Sequence, residues 1–144
     1  MMRPEPLFID TWGWLSLYDQ REAHHEEVAA LYRSRRRERT TMFTTDYVLD
    51  ETMTLFSKRL SVDVATKRLE EIKASAAKGF LRLIWITAQR FNRTLALRKR
   101  YDDKPGISFT DLSSMAVMQE HGLHDVLTGD AHFHHVGLGF RCCP

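Results

Sequence analysis

Short apolar runs of strand length alternate along this chain with longer stretches whose apolar residues fall at helical spacing. Leu7-Phe8-Ile9, closed by Asp10, is the first run and most simply a buried strand. Thr11 to Tyr18 reads as a short internal helix. Residues 23–37 form a second helix, apolar at Val28, Leu31 and Tyr32, with a basic tail. Residues 40–44 are rich in β-formers and predict the second strand. A helix then starts near Thr45 or Asp46, both good N-cap types, with Val48, Thr52, Leu55 and Phe56 as its core stripe. Ser61 caps the next helix, whose positions Val62, Ala65, Leu69, Ile72 and Ala76 follow steps of three and four to Gly79. Residues 80–86 predict a third strand, and Thr87 caps a helix reaching about Arg100 with Ala88, Phe91 and Leu95 inward. After the Pro105-Gly106 loop, residues 110–121 form a helix closed by Gly122. Residues 125–128 supply a fourth strand and 139–142 a fifth at the edge.

Such alternation implies an α/β fold, with a mostly parallel sheet of four to five strands covered by helices on both faces. The 144 residues read as a single domain (1–144), without internal repeat, low-complexity tract or linker. The hydrophobic fraction of 43% is ordinary for a globular protein, and a net charge of +2 selects no class of partner. No apolar run approaches the ~20 residues that span a bilayer. Pro and charge interrupt residues 1–6, so no export signal core is expected, and a cytoplasmic location follows as the default. Adjacent Cys142 and Cys143 fit a reducing compartment and read as incidental.

Parallel sheets of this kind bind ligands beyond the carboxyl ends of their strands. Asp10 and Asp130 lie there, the first after its strand and the second after Thr128-Gly129. Glu51 is turned about 100° from Asp50 on its helix, toward Val48 and Leu55, whereas Asp50 shares a polar stripe with Asp46, Thr54 and Ser57. A carboxylate on that flank needs a partner or a metal. Asp111 stands third in a Ser108-x-x-Asp capping pattern. Each acid alone has a bland reading: helix cap for Asp10 and Asp111, turn residue for Asp130. Together they sit where the sheet would gather them, and clustered like charges repel unless a cation joins them.

In order along nearly the whole chain, four short motifs resemble those of the PIN-domain nucleases, and within them the VapC-type toxins of bacterial toxin–antitoxin pairs. They are Phe8-Ile9-Asp10-Thr11 through Leu15, Thr45 through Thr52 around Glu51, Ser108 through Ala116 around Asp111, and Val126 through Phe133 around Asp130. The resemblance implies a three-layer PIN-like fold and a metal-dependent endoribonuclease that hydrolyses RNA phosphodiester bonds. It also implies a small antitoxin partner and a homodimer. Asp10, Glu51, Asp111 and Asp130 would be both the catalytic residues and the ligands of one or two Mg²⁺ (or Mn²⁺) ions. Hard cations take oxygen ligands, acidify bound water and neutralise charge growing on phosphate, so no protein nucleophile is needed. Thr11, Thr110 and Thr128 are placed to support those acids from behind, though helix capping explains Thr11 and Thr110 equally well.

For binding the RNA backbone, Arg100, Lys104, Lys58 and Arg59 are the candidates. Arg100 and Lys104 rank higher because their loop leads to Asp111, while most of the 33–39 basic run reads as a solvated helix end. Trp12 and Trp14 suit core or dimer contacts better than base stacking. The seven histidines lack zinc-ligand spacing with cysteine, and only His132, close after Asp130, is a candidate for touching substrate. A haloacid-dehalogenase-like phosphatase would need Asp-x-Asp, where this chain has Asp10-Thr11-Trp12. A non-catalytic PIN-like binding module, or an RNA-processing nuclease without a toxin role, remain alternatives.

Overall fold

The computed structural model describes residues 5–144; the absence of an export signal core was expected for a segment whose residues 1–4 lie outside these. Five strands, β1 (Leu7–Ile9), β2 (Met42–Thr45), β3 (Leu81–Ile84), β4 (Asp125–Leu127) and β5 (Arg141–Cys143), form one sheet in the order β3-β2-β1-β4-β5. Every pairing is parallel, with Leu7 in register with Met42 on one side and Asp125 on the other. The helices are α1 (Thr11–Tyr18), α2 (His25–Arg37), α3 (Asp46–Arg59), α4 (Val62–Ala77), α5 (Ala88–Arg100), α6 (Phe109–His121) and the four-residue α7 (His132–His135). None of them is long and apolar enough to cross a membrane.

The central position of β1 explains its composition. Flanked by β2 and β4 and covered on both faces, Leu7, Phe8 and Ile9 are fully buried, as the uninterrupted apolar run requires. The capping residues act as their types dictate: Thr45, Ser61, Thr87 and Ser108 accept backbone N–H bonds from Val48, Val64, Arg90 and Asp111. Gly122 ends α6 in the left-handed region at φ 64°.

Two expectations need correction. Strand β3 is shorter than residues 80–86, because Phe80 and Trp85 are exposed at its ends. Helix α5 is also rotated: Ala88, Phe91 and Leu95 face solvent, and Thr94 and Leu97 are buried instead. Both sets have helical spacing, so periodicity alone does not choose between them. Thr94 can be buried because its hydroxyl donates to the Arg90 carbonyl at 2.8 Å. The same ambiguity left Val62 of α4 exposed while Ala65 and Ile72 are fully buried.

Helix α1 runs directly from β1 and presses against β4 at Gly13. A Cβ there would stand 2.9 Å from Leu127 Cγ and 3.0 Å from the Leu127 carbonyl oxygen. Gly13→Ala therefore lowers stability by roughly 1–2 kcal/mol in urea denaturation, overpacking outweighing the gain in helix propensity.

Candidate active site

Asp10 follows β1 at the start of α1. Its carbonyl accepts from Gly13 N (2.9 Å) and Trp14 N (3.2 Å), but its carboxyl makes no capping bond. The side chain instead turns toward the end of β4, where Thr128 Oγ1 donates to Asp10 Oδ2 at 2.8 Å. The same threonine oxygen accepts from Asp130 N at 3.0 Å, tying the two acidic segments together. Asp10 Oδ1 is buried without a hydrogen-bond partner.

The other acids arrive from separate elements. Glu51 projects from the middle of α3 and is half-buried, whereas Asp50 is exposed. Asp111 gives its backbone N–H to Ser108 Oγ (3.0 Å), so the capping bond leaves its carboxyl free to enter the site. Asp130 Oδ1 accepts from His132 N at 2.9 Å, a local turn bond that fixes its direction. All four line one cleft of about 580 Å³, together with Thr11, Trp12, Gly106, Ser108 and Gly129. Trp12 closes one wall: a Cβ on Gly129 would lie 2.6 Å from its indole nitrogen, so only glycine lets the ring sit there.

Packing these acids together shifts their titration. Burial pushes Asp10 up to about 6, opposed by the Thr128 hydrogen bond and reinforced by the charges of Glu51 and Asp130. Asp111 rises to about 8, through burial, its side-chain contact with Asp130 and the neighbouring carboxylates. Burial also works upward on Asp130, but the hydrogen bonds from Asp111 and the His132 amide outweigh it and hold that carboxyl down. The two carboxyls titrate as a pair, Asp111 pushed up and Asp130 held down. An all-oxygen donor set with a buried, unpartnered Asp10 oxygen fits a hard divalent cation.

The supporting residues behave unequally. Thr128 braces Asp10, and Thr11 is buried at the cleft. Thr110 does not line the cleft; its carbonyl accepts from Ser113 Oγ. No lysine or arginine is among the described residues lining it. Arg59 is held by Glu22 and by Asp19 (3.5 Å), which gives it a structural task instead. Lys58 and Arg100 are exposed, and Lys104 Nζ lies 3.3 Å from Asp103. Arg98 clamps the loop before α6 by donating to the carbonyls of Tyr101, Lys104 and Ile107. Trp14 is core, donating to Thr44 Oγ1 at 3.1 Å.

The sequence model of the PIN domain matches residues 7–138. The chain belongs to the PIN-domain family. A search of curated protein sequences finds no match. Among solved structures, the chain is similar to VapC20 of Mycobacterium tuberculosis, a sarcin–ricin-loop-cleaving toxin. That match has 27% identity and a TM-score of 0.79, and covers 91% of this chain and 95% of the other. VapBC2 of Rickettsia felis bound to promoter DNA is similar at 14% identity and a TM-score of 0.67, covering 95% and 96%. DNA-bound VapBC of Salmonella typhimurium is similar at 18% and 0.64, covering 97% and 98%. These last two speak to the fold alone, and the PIN-like three-layer architecture agrees with the expectation from sequence.

The raised acids of this PIN domain set a stability trend. Between the ordinary carboxylate range and the raised values of Asp10 and Asp111, the folded chain binds more protons than the unfolded one, so stability falls as pH rises. The depressed Asp130 acts oppositely, at and below the ordinary carboxylate range. In chelator, the melting temperature therefore drops between about pH 5 and 8, and Asp10→Asn recovers about 1–3 kcal/mol at the upper end. Thermal melts of both proteins across that range check this.

Proposed function

We propose that this PIN domain is a divalent-metal-dependent endoribonuclease that acts as the toxin of a toxin–antitoxin pair. The observation that carries the reading is the convergence of Asp10, Glu51, Asp111 and Asp130, from four different elements, on one cleft that holds a buried, unpartnered carboxylate oxygen. Like charges gathered this closely destabilise a fold unless the charge is used.

Asp10 and Asp111 would hold Mg²⁺ or Mn²⁺ directly, with Glu51 and Asp130 completing the site directly or through water. When bound, the cation supplies acidified water and neutralises charge on the scissile phosphate. The protein's own work is positional. Thr128 locks Asp10 by hydrogen bonding its Oδ2, the Ser108 cap sets the first turn of α6 and hence the direction of Asp111, and His132 N orients Asp130. Trp12 walls off one side of the cleft against solvent.

RNA is the proposed substrate, reached in the cytoplasm, with Arg100, Lys104 and Lys58 as backbone contacts outside the cleft. The toxin VapC20, similar over most of this chain, makes the sarcin–ricin loop the first RNA to try, with transfer and messenger RNA beside it. A toxin needs a protein that silences it. The exposed Val62 and Val64 of α4 offer apolar surface for such an antitoxin, and the exposed Phe91 and Leu95 of α5 for a homodimer.

Purified protein is expected to cleave RNA with Mn²⁺ or Mg²⁺ and to stop in chelator. Asp10→Asn lowers the rate at least about a hundredfold. Thr128→Val, which loosens Asp10 and leaves the Asp130 amide without its acceptor, lowers it by roughly three- to tenfold. Cleavage that persists in both chelator and the Asp10 variant removes the metal reading. A wild-type protein that binds no Mn²⁺ by calorimetry supports a non-catalytic binding module instead.

A further inference from the structure

One further titratable group stands beside the cleft, next to two of its acids. His132 opens α7, and Nδ1 of its ring stands 3.0 Å from Asp130 Oδ1 and 3.9 Å from Asp111 Oδ2. One donor atom from each of Asp111, Asp130 and His132 lies within 4.8 Å of the others. We infer that His132 Nδ1 is a direct ligand of the cation held by Asp111 and Asp130, and that this nitrogen biases the site toward Mn²⁺ over Mg²⁺.

The inference rests on the metal-dependent reading above and adds a residue to it. Its support is the direction of the ring. Nδ1 is buried and meets Asp130 Oδ1 at 3.0 Å without the alignment of a full hydrogen bond, so the contact between the two side chains is chiefly electrostatic. Two polar atoms about 3 Å apart that do not point at one another stand as neighbouring ligands of a shared ion do, since bonds of roughly 2.1 Å at right angles separate the donors by about 3 Å. The cation itself is argued from the adjoining cleft, where Asp10 Oδ1, on a residue only 3% exposed, is unpartnered.

The ring is also held in place. His132 N donates to Asp130 Oδ1, and the next residue, Phe133, is fully buried against Phe140 with ring centroids 6.0 Å apart. Ring nitrogen Nε2 reaches within 4.0 Å of where a Cβ on Gly106 would stand, so the loop clamped by Arg98 borders its far side. His134 and His135 of the same short helix are exposed and meet each other edge to face rather than an acid. Mg²⁺ keeps oxygen ligands and gives up water reluctantly, whereas Mn²⁺, although the weakest of the first-row divalent ions, gains more from an imidazole nitrogen than Mg²⁺ does, so a mixed donor set separates the two ions.

Electron spin-echo measurements on Mn²⁺ bound to the full chain test this without any activity assay. Wild type is expected to show nitrogen modulation that changes to the ¹⁵N pattern when histidine is ¹⁵N-labelled. His132→Ala abolishes it and His134→Ala leaves it intact. By calorimetry, His132→Ala weakens Mn²⁺ by roughly tenfold or more and Mg²⁺ by much less. Mn²⁺ that binds wild type without nitrogen modulation overturns the ligand assignment while leaving the metal reading in place. Modulation that survives in His132→Ala overturns it equally. Wild type that binds no Mn²⁺ overturns both.

Discussion

Parallel pairing of β1 between β2 and β4 places two acidic turns side by side at the carboxyl edge of the sheet. The chain builds outward from β1 to β2 and β3, then crosses to the other side for β4 and β5, so the strand order reverses at the β1–β4 boundary. Chains leaving neighbouring strands at such a reversal diverge, and a crevice opens between them. Asp10 leaves on one side of it and Thr128 to Asp130 on the other. The Thr128–Asp10 hydrogen bond spans the gap, and α3 and α6 need only lean over it to add Glu51 and Asp111.

The fold tolerates this gathering of charge because its groups titrate apart. Asp111 is pushed toward its neutral form and Asp130 toward its charged one, and Thr128 and the His132 amide stabilise the ionised neighbours. What is left over, a buried carboxylate oxygen with no partner, opposes folding of the metal-free chain. Stability and cation binding are therefore linked, because an ion that binds only the folded form shifts the balance toward it.

Much of this was legible in the residues, and the misses have physical causes. The strands announced themselves because a parallel strand buried on both faces must be apolar throughout, as in Leu7-Phe8-Ile9. Helix phase separated Glu51 from Asp50 because hydrophobic and polar stripes there are unambiguous. In α5 two overlapping stripes competed, and the winner was settled by packing against α6, which no local pattern encodes. Basic residues were least readable. Arg59 looked like a free cation, yet it is held by Asp19 and Glu22. A charge count cannot reveal partners far away in sequence. His132 carried only a faint signal, its nearness to Asp130. Its approach to Asp111 depends on how α6 meets α7.

The bond between Thr128 and Asp10 joins residues 118 positions apart. Local helices can form early, but this contact waits until β4 has been made and has slotted beside β1. The cleft is thus assembled later than β2, β3 and the helices between them. In the proposed reading, that order matters to the cell: a chain that has not yet reached Asp111 and β4 lacks the means to cut RNA. Cutting begins only once all four acids have been gathered, which is the form a silencing partner must meet.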